Sequence, residues 1–107
     1  MKHADDNFVI KYFDLIDEFI KVGDRAAALR VRELAVREGM LLGYSSGAAL
    51  EAVFAMRKQL TKDDVVVVLF PDHGSRYLGK VFNDDWMKEQ GFFDSQKKAQ
   101  EEVEYIK

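Results

Sequence analysis

The sequence predicts an α/β fold that contains part of a parallel sheet and one βαβ crossover. Residues 65–70 form an uninterrupted apolar run, mostly β-branched, which is typical of a parallel strand covered on both faces. Before it, a short apolar segment at 40–42 ends in the turn 43–47, and helical spacing resumes after that turn. Strand, helix and strand in this order make a βαβ unit, which we expect to cross over right-handed.

The part of the chain before this unit contains its clearest helix. Residues 8–22 fit either a helical or a strand period, and we expect an irregular start, a helical turn near 15–17 and then a short strand. Asp24 is a good N-cap, and residues 25–38 carry one apolar stripe against a charged face. A helix is therefore predicted over 25–38, closed by Gly39.

Short elements make up the predicted βαβ unit. Residues 40–42 are expected to form a short buried strand, and a helix is predicted over 47–60. Small side chains on the inner face of that helix allow close packing against a sheet. The residues predicted for this face are Ala49, Ala52, Val53, Met56 and Leu60.

Turn residues and caps organise the segment after the apolar run. Residues 71–74 read as a strand-ending turn, and residues 75–80 as a short helical segment. A last helix is predicted over 84–90, capped by Asn83 and stopped by Gly91.

The predicted sheet is too small to stand alone. Residues 65–70 need neighbouring strands at both edges and cover on both faces, yet the chain offers only two or three parallel strands. Residues 94–107 are charged and hold few large apolar side chains, so we expect a solvent-facing helix or a linker there. The chain therefore looks like part of a larger domain.

Composition excludes several classes of function. With 107 residues, 48% of them hydrophobic, the chain fits one small domain. The net charge of −3 and the scattered basic residues give no footprint for nucleic acid, and no apolar run approaches a membrane span, so we expect a cytoplasmic protein. Zero cysteines and two histidines leave too few ligands for a dedicated zinc or haem site.

Two turns follow the predicted parallel strands, and they are the candidate site. In an open parallel sheet, ligands bind at the carboxyl ends of the strands, so the turns 43–47 and 71–74 should lie side by side. An alternative stays open at this point: Ser45 or Ser46 is only a helix cap, and 71–74 only ends a strand. A hydrolase triad of Asp72, His73 and Ser75 is disfavoured, because neighbours on one turn rarely converge and no G-x-S-x-G elbow is present.

Several linked motifs resemble one enzyme family. Residues 37–49, 65–70, 71–80 and 82–87 are similar to the C-terminal part of the catalytic core of cystathionine beta-synthase and its sister cysteine synthase. These are pyridoxal-phosphate enzymes of fold type II, and the resemblance spans about residues 15–93. It implies that residues 15–93 are a fragment of the large domain of such an enzyme. An irregular segment at 1–14 precedes this core, and a tail or linker at 94–107 follows it.

The resemblance also implies roles for residues of the two turns. Ser45 matches the family serine that hydrogen-bonds the pyridine nitrogen of the cofactor, and Gly43, Pro71 and Asp72 line the same region. A neutral hydroxyl leaves the ring a weaker electron sink than an acidic partner would, which suits β-elimination and β-replacement. His73 stands where the family has a serine, which departs from the pattern.

The family's covalent chemistry has no counterpart in this sequence. The lysine that binds the cofactor, the glycine-rich phosphate loop and the loop for the substrate carboxylate belong to N-terminal regions, and Lys21, Lys58 and Lys80 do not match the lysine motif. The resemblance thus implies a parent enzyme that joins serine or activated serine to homocysteine or sulfide. We expect these residues alone to contain no catalytic residue and to bind no pyridoxal phosphate. We expect the chain to assemble with the missing N-terminal part of the enzyme or with further copies of itself. A non-enzymatic interaction module is the alternative.

Overall fold

The computed structural model describes residues 12–94 and 103–106. Three α-helices and two short strands are present in these ranges: β1 Ile20–Val22, α1 Asp24–Glu38, α2 Tyr44–Ala55, α3 Asp84–Glu89 and β2 Val103–Tyr105. Single 3-10 turns occur at Phe13–Leu15, Arg57–Gln59 and Gly74–Tyr77. The predicted helical turn, short strand and first helix are thus confirmed, each within about two residues.

Helix α1 has a glycine at each end. The N-cap is the extended Gly23 and not the predicted Asp24, which is the first helical residue. At the other end, Gly39 adopts φ 65°, a left-handed conformation in which its N–H donates to the Leu34 carbonyl oxygen. The inner face of α1 is built from small and β-branched side chains that are all buried: Ala26, Ala27, Ala28 and Val31. Such a face lets a second helix approach closely.

Helix α2 crosses α1 at Gly47. A Cβ built on Gly47 would lie 2.1 Å from the Ala27 carbonyl oxygen and 3.0 Å from the Val31 Cβ. The helix begins at Tyr44 and ends at Ala55, whereas the sequence predicted 47–60. The start differs because Gly43, extended at φ −74° and ψ 169°, is the N-cap.

The parallel sheet predicted from residues 40–42 and 65–70 is not formed among the described residues. Leu42 makes one antiparallel bridge, to His73, and residues 65–70 belong to no strand. Val65 and Val67 are each 90% exposed and Leu69 is 79% exposed. The physical reason is that a strand of this kind needs two flanking partners, and the described part of the chain supplies neither.

The sheet that does form is a two-stranded antiparallel ribbon. β1 pairs with β2 so that Ile20 lies opposite Tyr105. The Tyr105 hydroxyl donates a hydrogen bond to the Ala55 carbonyl oxygen at 2.8 Å, which ties the ribbon to the end of α2. Residues 103–105 therefore form a strand, where the sequence predicted a solvent-facing helix or a linker.

The core lies between α1 and the segment that carries α3. It contains Ala28, Val31, Val81, Met87 and Phe92. As predicted, α3 is capped by Asn83, whose side chain accepts a hydrogen bond from the Trp86 N–H at 3.0 Å, and Gly91 follows it with φ 71°. Among the described helices, none is long and apolar enough to cross a membrane.

Candidate cofactor-binding site

The two predicted turns lie against each other. The Gly43 N–H donates to the Asp72 carbonyl oxygen at 2.9 Å, and the Gly74 N–H donates to the Leu41 carbonyl oxygen at 3.0 Å. These bonds flank the bridge between Leu42 and His73. The prediction that the turns 43–47 and 71–74 lie side by side is therefore confirmed, although the segments that bring them together run antiparallel.

Gly43 is buried at the centre of this contact. A Cβ at this position would lie 1.5 Å from Asp72 Oδ1 and 2.4 Å from the carboxyl carbon, so the carboxylate occupies the space of a side chain. The close approach of the Asp72 carboxylate is what requires glycine at this position. The backbone conformation does not require it, because a φ of −74° is accessible to any residue.

The Asp72 carboxylate is held by its surroundings. Its Oδ2 accepts a hydrogen bond from the Tyr77 hydroxyl at 2.9 Å. That hydrogen bond is the main reason why the pKa of Tyr77 is raised above its ordinary value of 10. Oδ1 is buried and has no hydrogen-bond partner within the described residues. Tyr77 was not among the site residues predicted from the sequence. The only indication of its role in the sequence is its position five residues after Asp72.

The two serines of the first turn of α2 have different environments. Ser45 is exposed, whereas Ser46 is fully buried and its hydroxyl has no hydrogen-bond partner among the described residues. Neither caps the helix, because the N-cap is Gly43 and no side chain bonds the first turn. The interpretation of Ser45 or Ser46 as only a cap is therefore wrong. Ser45 leaves its hydroxyl available at the positive end of the helix dipole.

The polar residues of the second turn do not form a hydrolase triad. His73 Nδ1 accepts a hydrogen bond from the Ser75 N–H at 3.0 Å and so caps the 3-10 turn Gly74–Tyr77. Asp72 is bonded to Tyr77 instead. Pro71 is exposed beside them. In residues 12–94 and 103–106, no three histidine, aspartate or glutamate side chains group as a metal site would require.

An aromatic cleft of about 280 Å³ lies next to the two turns. Its lining includes Tyr44, Tyr77, Trp86 and Lys80, but neither Ser45 nor Pro71. The two tyrosine rings are 6.5 Å apart between centroids. Tyr44 donates to the Asp24 carbonyl oxygen at 2.7 Å, and its burial, followed by the nearby Asp24, raises the pKa of its hydroxyl.

Comparison with known proteins decides the family. The sequence profile described as "Pyridoxal-phosphate dependent enzyme" matches residues 3–72. The chain belongs to this family. Its characteristic cofactor is pyridoxal phosphate, as the resemblance of the two turns implied.

Relatives of the chain carry the names that the motifs suggested. It is 38% identical over 90 residues to cystathionine beta-synthase of Dictyostelium discoideum, a match that covers 84% of this chain and 18% of the relative. Cystathionine beta-synthase of Saccharomyces cerevisiae is 39% identical over 93 residues, 82% of this chain and 18% of the relative. A probable cysteine synthase of Bacillus subtilis is 48% identical over 65 residues, 61% of this chain and 21% of the relative. The chain thus spans about a fifth of the length of these relatives.

The described residues fit one edge of the cofactor. The Ser45 hydroxyl is exposed at the start of α2 and is not used as a cap, so it is free to donate to a ring nitrogen. Lys21, Lys58 and Lys80 lie on other elements: on β1, in the turn Arg57–Gln59 and at the aromatic cleft. An exposed, neutral hydroxyl donor of this kind is compatible with a pyridine nitrogen as its acceptor.

Proposed function

We propose that this chain is a C-terminal piece of the large domain of a pyridoxal-phosphate enzyme that performs β-replacement. The parent reaction joins serine or an activated serine to homocysteine or sulfide, in line with the relatives named cystathionine beta-synthase and cysteine synthase. One observation supports the proposal: the turns 43–47 and 71–74 are joined by the hydrogen bond from the Gly43 N–H to the Asp72 carbonyl oxygen, and Ser45, two residues after Gly43, is exposed.

We assign to this chain one wall of the cofactor site, which positions the pyridine ring. Ser45 donates a hydrogen bond to the ring nitrogen and, being neutral, does not hold that nitrogen protonated. The bound cofactor supplies the electron sink for reaction at the amino-acid substrate. Gly43 leaves room for the close contact with Asp72, and Pro71 and Asp72 border the ring edge. These 107 residues contribute no catalytic residue of their own.

The rest of the site is assigned to sequence outside this chain. The two cystathionine beta-synthases are about five times as long, which leaves room for the covalent lysine and the phosphate loop. We assign residues 15–93 to the core, and 94–107 to a tail whose residues 103–105 pair with β1. The proposed lead-in at 1–14 lies mostly outside the described residues. The proposed partner is the missing N-terminal part of the enzyme, and the proposed location is the cytoplasm.

Pyridoxine 5′-phosphate is the probe that tests the Ser45 assignment. It carries an alcohol in place of the aldehyde, so it cannot form imines with surface lysines. Without the phosphate loop, the chain should not retain the cofactor, so the probe is titrated to millimolar concentration into the isotope-labelled chain. Weak binding at that excess is expected to shift the backbone amide signals of residues 43–47. Ser45→Ala should weaken this binding about fivefold, the worth of one hydrogen bond. Ser46→Ala, which removes a buried hydroxyl on the same turn, should change it less than about twofold. Equal effects of the two variants would contradict the assignment.

Pyridoxal phosphate itself tests the prediction that the chain is inactive alone. We expect no stoichiometric visible absorption band on mixing and no β-replacement turnover, because the covalent lysine motif is absent. A one-to-one band that borohydride reduces onto a single lysine of this chain would overturn that part of the proposal.

A second function is favoured by one specific observation. Residues 65–70 expose Val65, Val67 and Leu69 to solvent, and an unpaired apolar segment of this kind pairs readily with another strand. We therefore propose as the alternative function a non-enzymatic interaction module, which assembles with a partner chain or with a second copy of itself. A stable monomer in light scattering that also unfolds cooperatively would count against it, and also against an incomplete fold.

A further inference from the structure

The Asp72 carboxylate is fixed on two sides. Tyr77 donates its hydroxyl to Oδ2 at 2.9 Å, and Oδ1 fills the space where Gly43 would carry a Cβ. Asp72 also accepts the Gly43 N–H at its backbone carbonyl, at 2.9 Å. The same aspartate therefore meets Gly43 with both its main chain and its side chain.

Gly43 passes this contact on to the helix that carries Ser45. It is the N-cap of α2, and its carbonyl oxygen accepts the Ser46 N–H at 3.1 Å, which closes the first turn of that helix. Ser45 stands between these two residues. Its position is thus set by the backbone that Asp72 holds.

We propose that Tyr77 is a positioning residue for the Ser45 hydroxyl and that it acts through Asp72. Tyr77 is the hydrogen-bond donor that orients the Asp72 carboxylate in the described structure. Without it, the carboxylate rotates away from Gly43 and the two turns lose part of their contact. The proposal rests on the proposed function of Ser45, and it adds a supporting role for the Asp72 carboxylate to the proposed place of Asp72 at the ring edge.

Tyr105 provides a matched control. Its hydroxyl also makes one hydrogen bond to a backbone carbonyl oxygen, that of Ala55, at 2.8 Å. Ala55 ends α2, so this bond lies at the other end of the helix from the turn 43–47. Tyr105→Phe therefore removes one hydroxyl and one hydrogen bond while leaving both turns and the Asp72 contact intact.

The experiment uses the full chain and has two readouts. Tyr77→Phe is expected to speed amide hydrogen exchange at Gly43 and Ser46 about fivefold, and to weaken pyridoxine 5′-phosphate binding by a similar factor. Tyr105→Phe is expected to change both by less than about twofold. Asp72→Asn keeps an acceptor oxygen for Tyr77 and should retain more affinity than Asp72→Ala. In Asp72→Ala, the pKa of Tyr77 should fall back toward its ordinary value.

The outcomes separate this inference from the function on which it rests. If Tyr77→Phe matches Tyr105→Phe in both readouts while Ser45→Ala still weakens binding, the positioning role is wrong and the Ser45 assignment stands. If Ser45→Ala leaves binding unchanged, the proposed function fails. In that case, amide exchange at Gly43 and Ser46 still tests whether Tyr77 stabilises the contact between the two turns. A wild-type exchange rate in Tyr77→Phe would show that it does not.

Discussion

At Gly43 the backbone of one turn meets the side chain of the other. The Asp72 carboxylate occupies the Cβ position of residue 43, and Tyr77 holds that carboxylate by a 2.9 Å hydrogen bond. In the sequence, Gly43 stands between an apolar segment and a serine pair, and glycine permits a close approach of another group to the backbone. The identity of the approaching group was not readable, because Asp72 is distant along the chain and only the fold brings it to this position.

Substitution of Gly43 by alanine tests this contact. The new Cβ would overlap Asp72 Oδ1, so we expect Gly43→Ala to lower the free energy of unfolding by about 1–3 kcal/mol, as overpacking does. Urea denaturation measures the change. Gly79→Ala is the control, since a Cβ there meets nothing within 4 Å and the cost should stay within about 0.5 kcal/mol.

A double variant shows whether Asp72 causes that cost. Asp72→Ala removes the overlapping carboxylate, so Gly43→Ala should cost clearly less in its background than in the wild type. If the cost is the same in both backgrounds, the contact between the two residues is not what excludes a side chain at position 43.

Among the elements, those with local signals were predictable. α1 and α3 follow from periodicity, from Gly39 and Gly91 beyond their ends, and from the Asn83 cap. The start of α2 was predicted too late, because Gly43 rather than a serine is its cap. β2 was missed, since pairing between Ile20 and Tyr105 depends on a contact across most of the chain. Long-range pairing leaves little trace in a charged, three-residue strand.

The crossing of α1 and α2 gives an element-scale prediction. Gly47→Ala would place a Cβ 2.1 Å from the Ala27 carbonyl oxygen, which is backbone and cannot turn aside. We expect the helices to separate and the free energy of unfolding to fall by about 3 kcal/mol, at the upper end of the range for overpacking. Thermal unfolding of Gly47→Ala beside Ser45→Ala, an exposed site on the same helix, measures it. A loss no larger than that of Ser45→Ala would mean that the helices do not cross here.

In the whole molecule, the apolar run that most strongly predicted a buried strand is the most exposed apolar segment described. Val65, Val67 and Leu69 are 79–90% exposed, because the described chain provides no neighbouring strands. The prediction of an incomplete sheet and the observed exposure agree on one physical point. A β-branched run of this kind is typical of a strand inside a larger sheet than the one that the described residues form.

Self-association of the isolated chain follows from this exposure. We expect its average mass in light scattering to rise with concentration, and Val67→Lys to suppress the rise by placing a charge on the unpaired segment. Val36→Lys is the matched control, since Val36 is 86% exposed on α1, outside the segment. Equal suppression by the two variants would show that residues 65–70 are not the associating surface.

Our central proposal is that Ser45 donates to the pyridine nitrogen when this chain is combined with the rest of a pyridoxal-phosphate enzyme. Replacing the 65 matched residues of the probable cysteine synthase of Bacillus subtilis by those of this chain supplies that part. The measurement is β-replacement turnover of this chimera carrying Ser45→Ala or Ser46→Ala. We predict an active chimera in which Ser45→Ala lowers turnover about tenfold and Ser46→Ala changes it less than about twofold. An active chimera in which Ser45→Ala turns over as fast as Ser46→Ala would contradict the account.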